Sequence, residues 1–193
     1  MIDLSLNEVE TLSAKAARGA GFSWGLAEDI GRAARRIAVE DENWGPALLG
    51  LLETMQSFVP PDPDRAARWR KGEADVPAGR PLCPIRTAAL LLDDPPEAGV
   101  MPLTILDVGL PTWLDAMLRR SNLRVARPTA ALTPRADVVI EHRGEAGQPA
   151  AGRRGAIDQR TLAALNAFAA RTYVPESERS RVRGAGGGRV DDE

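Results

Sequence analysis

The sequence predicts an α+β fold: an antiparallel bundle of about three N-terminal helices, joined to a small mixed β-sheet with covering helices and ending in a flexible C-terminal tail. Three observations lead there. Residues 1–60 carry apolar side chains at helical spacing. A Pro-rich, charged stretch then interrupts the pattern. Beyond it come short apolar runs bounded by Pro, Gly, Asp or Asn, as strands often are. The implied organisation is a helical subdomain over 1–60, a linker with a short helix over 61–81, an α/β subdomain over 82–172 and an Arg/Gly-rich tail over 173–193.

The first helix announces itself in LSLNEV. Ser5 as N-cap with Glu8 three residues on makes a capping box, and Leu4 with Val9 can form the hydrophobic staple. Such a cap contributes about 1 kcal/mol. Leu6, Val9, Leu12, Ala16 and Ala17 approximate one apolar stripe, and Gly19 and Gly21 stop the helix. Ser23 can cap a second helix in which Trp24, Ala27, Ile30, Ala34 and Ile37 share a face. Gly31 inside it predicts close approach of a neighbouring backbone. A third helix follows in GPALLGLLETMQSFV, with Pro46 in the first turn and Leu48, Leu49, Leu52, Met55 and Phe58 or Val59 inward.

Asp62 with Pro63 predicts a short helix ending at Gly72. IRTAALLL, PLTILDV, LRVARP and ADVVIEH are then expected as strands. LPTWLDAMLRRSN between the second and third is helical, which makes a strand–helix–strand unit long enough for a parallel crossover. The shorter link from LRVARP to ADVVIEH suits a hairpin. HRGEAGQPAAGRRG reads as a loop, and Asp158 caps a last helix with Leu162, Leu165, Phe168 and Ala169 inward.

Composition limits the chemistry. Net charge is −2, which does not suggest a general polyanion binder, so nucleic acid is not the expected partner. Cys83 is the single cysteine, which rules out an internal disulfide and fits a reducing cytoplasm. MIDLSLNEVE has neither the basic nor the apolar region of a signal peptide, and no apolar run approaches the ~20 residues of a membrane span. Basic residues are almost all Arg, with Lys only at 15 and 71, and Ala, Gly and Pro are abundant. GC-rich coding, as in many bacteria, accounts for that.

Candidate catalytic patterns are weak. GAGFSWG, with Gly19, Gly21 and Gly25, resembles a phosphate loop, but a helix precedes it where a strand is required, so it reads as a tight turn. Asp107 and Gly109 in TILDVG match the first motif of methyltransferases that use S-adenosylmethionine, yet Leu110, Pro111 and Thr112 stand where further glycines are needed. Asp93 and Asp94 at a strand end can bind Mg²⁺ or share a proton, but Asp before Pro is ordinary turn chemistry. His142 is the only histidine, and no pattern links it to Cys83, which has no evident helix N-terminus to activate it. No cofactor and no metal site is expected.

Two stretches carry a resemblance. LSLNEVETLSAKAARGAGFSWGLAEDIGRAAR and RTYVPESERSRVRGAGGGRVDDE resemble the opening and closing segments of an uncharacterised proteobacterial family of cytoplasmic proteins, a domain of unknown function. Its members open on SLNE, ARGAG and WGLAE and close on TYVP, a Ser/Glu/Arg stretch and GAGAG. This sequence departs at Gly187, where the family usually has Ala. The resemblance implies a common fold and a shared purpose for the two ends, and no activity.

The tail therefore has three readings. It is a solvated terminus, a docking arm that orders on a partner, or an anion cradle in which Arg179, Arg181 and Arg183 neutralise carboxylates or phosphates beside a backbone nest at Gly184 and Gly186. The expected partner contacts are Tyr173, Val174, Pro175 and Trp24. The function expected is that of a non-catalytic accessory or assembly protein acting through protein contacts, with another protein or a second copy as partner. The rival is a small-anion-binding protein or enzyme using those arginines with Asp107, Asp93 or Asp94.

Overall fold

The computed structural model describes residues 1–40, 43–97, 99–127, 130, 132–143 and 154–173. The described residues form an α+β fold of seven α-helices and two small antiparallel sheets. Residues 174–193 of the expected tail, and residues 144–153, expected as part of a loop, lie outside the described residues.

Helix α1 spans Leu6–Gly19 and begins as its sequence dictates. Ser5 Oγ accepts the Glu8 N–H at 3.2 Å, and the Ser5 N–H donates to Glu8 Oε2 at 2.7 Å. Two of the four N–H groups that a helix leaves unbonded at its start are thereby satisfied. Gly21, at φ +107, makes the tight turn into α2, Trp24–Glu40. The two helices lie unusually close. A Cβ on Gly31 would fall 2.7 Å from the Glu10 carbonyl and 3.1 Å from Ala14 Cβ, and Ala16, Ala17, Ala27, Ala33 and Ala34 are buried.

The third helix, α3 at Trp44–Thr54, gives way to a 3-10 turn at Met55–Ser57. Its buried face is Leu48, Leu51 and Leu52, while Leu49 is only half-buried. Trp44 is fully buried, with its indole N–H on the Ala156 carbonyl at 3.0 Å. The helix that packs most closely on the other side of α1 is not α3 but the last one, α7 at Gln159–Ala170. Strand β1 (Ile2–Leu4), beside the cap, pairs with β5 (Gly155–Ile157), so the two ends of the described chain meet. Gly155 admits this junction, because a side chain there would strike Val9 and the Trp44 ring.

Helix α4 spans Pro63–Lys71. Asp62 accepts the Arg65 N–H at 2.8 Å, and the left-handed Gly72 closes the helix. The next apolar run corrects the expectation. IRTAALLL is not a strand but helix α5, Pro84–Asp93. Pro84 starts it, and its Ala and Leu residues are strong helix formers where β-branched residues would favour a strand. Asp93 and Asp94 accordingly close a helix, and Cys83 occupies the N-cap of one.

The sheet is built from β2 (Leu103–Gly109), β3 (Leu123–Val125) and β4 (Arg135–His142), in the order β2-β4-β3. The β3–β4 pair is antiparallel, as the short link predicts. Helix α6, Pro111–Leu118, joins β2 to β3, but β4 lies between those strands, so the crossover does not make a parallel pair. Parallel pairing comes instead from single bridges, Val59 to Leu82 and Leu82 to Val108. Helices α5 and α6 pack together, with α6 against β3 and β4. Val138 and Ile140 are buried while Val139 is exposed, so one face of the sheet is covered.

A bulge shapes β2. Ile105 faces Val138, but Val108 faces Ala136, so β2 carries one extra residue. Asp107 there takes φ +64, a region Asp tolerates better than most residues. The bulge frees two N–H groups, and two carboxylates accept them. Asp75 Oδ2 takes the Leu106 N–H and Asp137 Oδ1 takes the Asp107 N–H, both at 2.8 Å. Asp75 also lies 3.0 Å from Arg65 Nε, with the two side chains only 1% and 3% exposed. This pair ties the linker to the sheet.

Two outcomes test this packing. Gly31→Ala is expected to cost about 1–3 kcal/mol in urea unfolding through overpacking, whereas Gly25→Ala, with open space around it, gains up to about 1 kcal/mol. Asp75→Asn strands a buried guanidinium and is expected to cost about 3–5 kcal/mol, against less than about 0.5 kcal/mol for the exposed Glu97→Gln.

Candidate functional site

Aromatic residues make up 4% of the chain, so each exposed one matters. Of the four tryptophans, Trp44, Trp69 and Trp113 are at most 1% exposed, whereas Trp24 is 67% exposed. The single tyrosine, Tyr173, is 64% exposed. Both stand beside α1.

Tyr173 is placed by a tight turn at the end of α7. The Arg171, Thr172 and Tyr173 N–H groups each donate three residues back, to Phe168, Ala169 and Ala170, at 3.1 Å. The Thr172 hydroxyl adds a bond to the Ala169 carbonyl at 2.7 Å. The turn brings Tyr173 to the wall of a groove of about 410 Å³ between α1 and α7. Leu4, Leu12, Leu162 and Ala169 give the groove its apolar lining, and Asn7, Glu8, Thr11, Lys15 and Asn166 its polar one. Small residues make the helix pair close: a side chain on Gly19 would collide with the Phe168 carbonyl.

Trp24 stands just past the C-terminal end of α1, as the first residue of α2. The Arg18 guanidinium lies 4.8 Å from its ring centre and donates to the Phe22 carbonyl at 2.8 Å. Lys15 and Arg18 are three residues apart and neighbours on the helix surface. One basic strip of α1 thus connects Tyr173, which shares the groove with Lys15, to Trp24, which stacks on Arg18. Arg171, on the Phe168 ring at 4.4 Å, adds a cation close to Tyr173.

The structure brings Tyr173 and Trp24 to the same helix. Val174 and Pro175 lie outside the described residues, as do Arg179, Arg181, Arg183, Gly184 and Gly186. The carboxylates weighed as their partners are occupied or scattered. Asp107 is buried at the bulge and ion-paired with Arg135, whose Nη2 donates at 2.6 Å. Asp94 pairs with Arg70 at 3.5 Å, and Asp93 is exposed. Cys83, despite its place before α5, is buried, and burial pushes its thiol above the usual range, away from the thiolate that would react. His142 is exposed and faces Asn122 at 3.4 Å. Among the described residues no group of three or more His, Cys, Asp or Glu is placed to hold a metal ion.

Thr11, Lys15, Arg18 and Asn166 were not singled out from the sequence. On a helix they read as an ordinary solvated face, and only the arrival of α7 turns that face into a wall.

Comparison with known proteins matches residues 4–47 to a family described as protein of unknown function (DUF3726). The match includes the opening segment, with α1, Lys15, Arg18 and Trp24, and stops short of α7 and Tyr173. No curated protein and no solved structure matches the chain. Among the described residues no helix is long and apolar enough to cross a membrane.

Two helix caps, at the starts of α1 and α7, hold carboxylates below their ordinary range. The hydroxyl and then the N–H of Ser5 hold Glu8 below its ordinary 4.5. The hydroxyl and N–H of Thr161 hold Asp158 below its ordinary 3.8. A carboxyl lowered in the folded state stabilises above its unfolded value, and that stability disappears as pH falls through the folded one. The urea midpoint is expected to be level above pH 4.5 and to drop on further acidification, with a shallower drop in the double variant Glu8→Gln, Asp158→Asn. An equal drop in that variant would assign the acid sensitivity elsewhere.

Proposed function

We propose that this is an accessory or assembly protein of the bacterial cytoplasm, acting through contact with another protein and not through catalysis. The observation that carries this reading is the placement of Trp24 and Tyr173. In a chain with few aromatics, three tryptophans fill the core while the fourth and the only tyrosine face solvent beside one helix. Tryptophan, tyrosine and arginine dominate the energetics of protein interfaces, where one such residue often contributes about 2 kcal/mol or more. Trp24, Tyr173 and Arg18 provide all three types on one surface. The groove beside them supplies the concavity that an inserted partner side chain needs.

Affinity purification of the tagged chain from its source organism tests this. A partner in stoichiometric amount is expected, and both Trp24→Ala and Tyr173→Ala are expected to reduce its recovery at least about tenfold while leaving the melting temperature within about 2 °C. If no partner is recovered, or if a small carboxylate or phosphate ester stabilises the isolated chain saturably while both variants retain any partner, the accessory reading fails.

A further inference from the structure

This inference rests on the reading above and concerns what the α1–α7 groove accepts. Its charge is uneven. At the end where β1 enters, Glu8 is committed to the helix cap through the Ser5 N–H, and the Asn7 side-chain Oδ1 accepts from Arg35 at 2.9 Å. At the Tyr173 end the balance is positive. Lys15 has no ion pair or hydrogen bond among the described residues, whereas Arg32 and Arg35 of α2 pair with Asp29, Glu28 or Glu10. Arg18 and Arg171 stack on aromatic rings, and neither has a carboxylate partner among the described residues. No acidic residue occurs anywhere in α7, and the acids of α1 are Glu8, held by the cap, and Glu10, paired with Arg35. The groove therefore offers an apolar floor that leads to an ammonium with no carboxylate partner among the described residues.

We propose that the groove docks a short peptide segment of a partner protein in which apolar side chains are followed by Asp or Glu. The apolar residues rest on Leu12, Leu162 and Ala169, the carboxylate meets Lys15, and Tyr173 covers the segment. The volume of about 410 Å³ lies within the range of ligand sites, roughly 300–1,000 Å³. Charge complementarity sets the direction in which the segment lies.

The test selects dodecapeptides from a random phage library on the full-length chain. The enriched sequence, made with a fluorescent label, is then titrated by anisotropy. The expected consensus has two or more apolar residues followed by Asp or Glu. Lys15→Glu is expected to weaken binding at least tenfold, and the peptide with its acid changed to Lys is expected to recover binding to that variant. Tyr173→Ala should weaken binding comparably, while Lys71→Glu on α4 leaves it unchanged. The proposal is overturned if no peptide is enriched, if the consensus lacks an acid, or if Lys15→Glu binds it as the parent does. It is also overturned if succinate alone competes at the peptide's own concentration, which assigns a small-carboxylate site, or if a synthetic peptide of residues 174–193 displaces the label as well as the consensus does. A partner recovered from cells whose binding ignores Lys15 leaves the accessory function standing and removes only this inference.

Discussion

The constraint on which the helical layer depends is the closeness of α1 to its two neighbours. Glycines and alanines set it. Gly31 leaves room for the Glu10 carbonyl and Ala14, and Gly19 leaves room for the Phe168 carbonyl. Close-packed interiors respond to a change of even one methylene, so these contacts fix how α1, α2 and α7 lie against each other. The groove follows from the same geometry. Two helices held this near leave a shallow valley along their seam, and the side chains of Leu12, Leu162 and Ala169 line it. A bulkier seam would have filled the valley or splayed it open.

A second constraint ties the rest of the chain to this layer. The bulge in β2 frees two backbone N–H groups, and buried donors of that kind need acceptors. Asp75 and Asp137 supply them from quite different places, one in the linker and one in the neighbouring strand. Asp75 also neutralises Arg65, so one carboxylate satisfies a strand and a buried cation together. The linker is thus held by a polar device as well as by the buried ring of Trp69. The buried apolar side chains of the helices and the sheet form one continuous cluster.

What the sequence made legible was local. The capping box at Ser5 and Glu8, the Asp62 and Asp158 caps, the turn at Gly21 and the close approach at Gly31 each depend on a few adjacent residues, and each appears as expected. IRTAALLL was misread because a short apolar run does not reveal its period, and the Pro84 start signal was passed over. The neighbour of α1 was illegible for a different reason: nothing in residues 6–19 says that residues 159–170 will lie against them. The same holds for the site. Trp24 and Tyr173 were selected as contacts from the sequence, but their common helix and the lysine between them emerge only from tertiary packing.

The pairing of β1 with β5 sets an order of events during synthesis. Ile2 is made well before its partner Ile157, which follows 155 residues later. In the interval α1 can pack on α2, but the face meant for α7 stays wet and sticky. Contacts so distant along the chain form late, because a long loop must close before they add stability. The face of α1 that α7 covers is therefore closed only when residues 159–170 arrive.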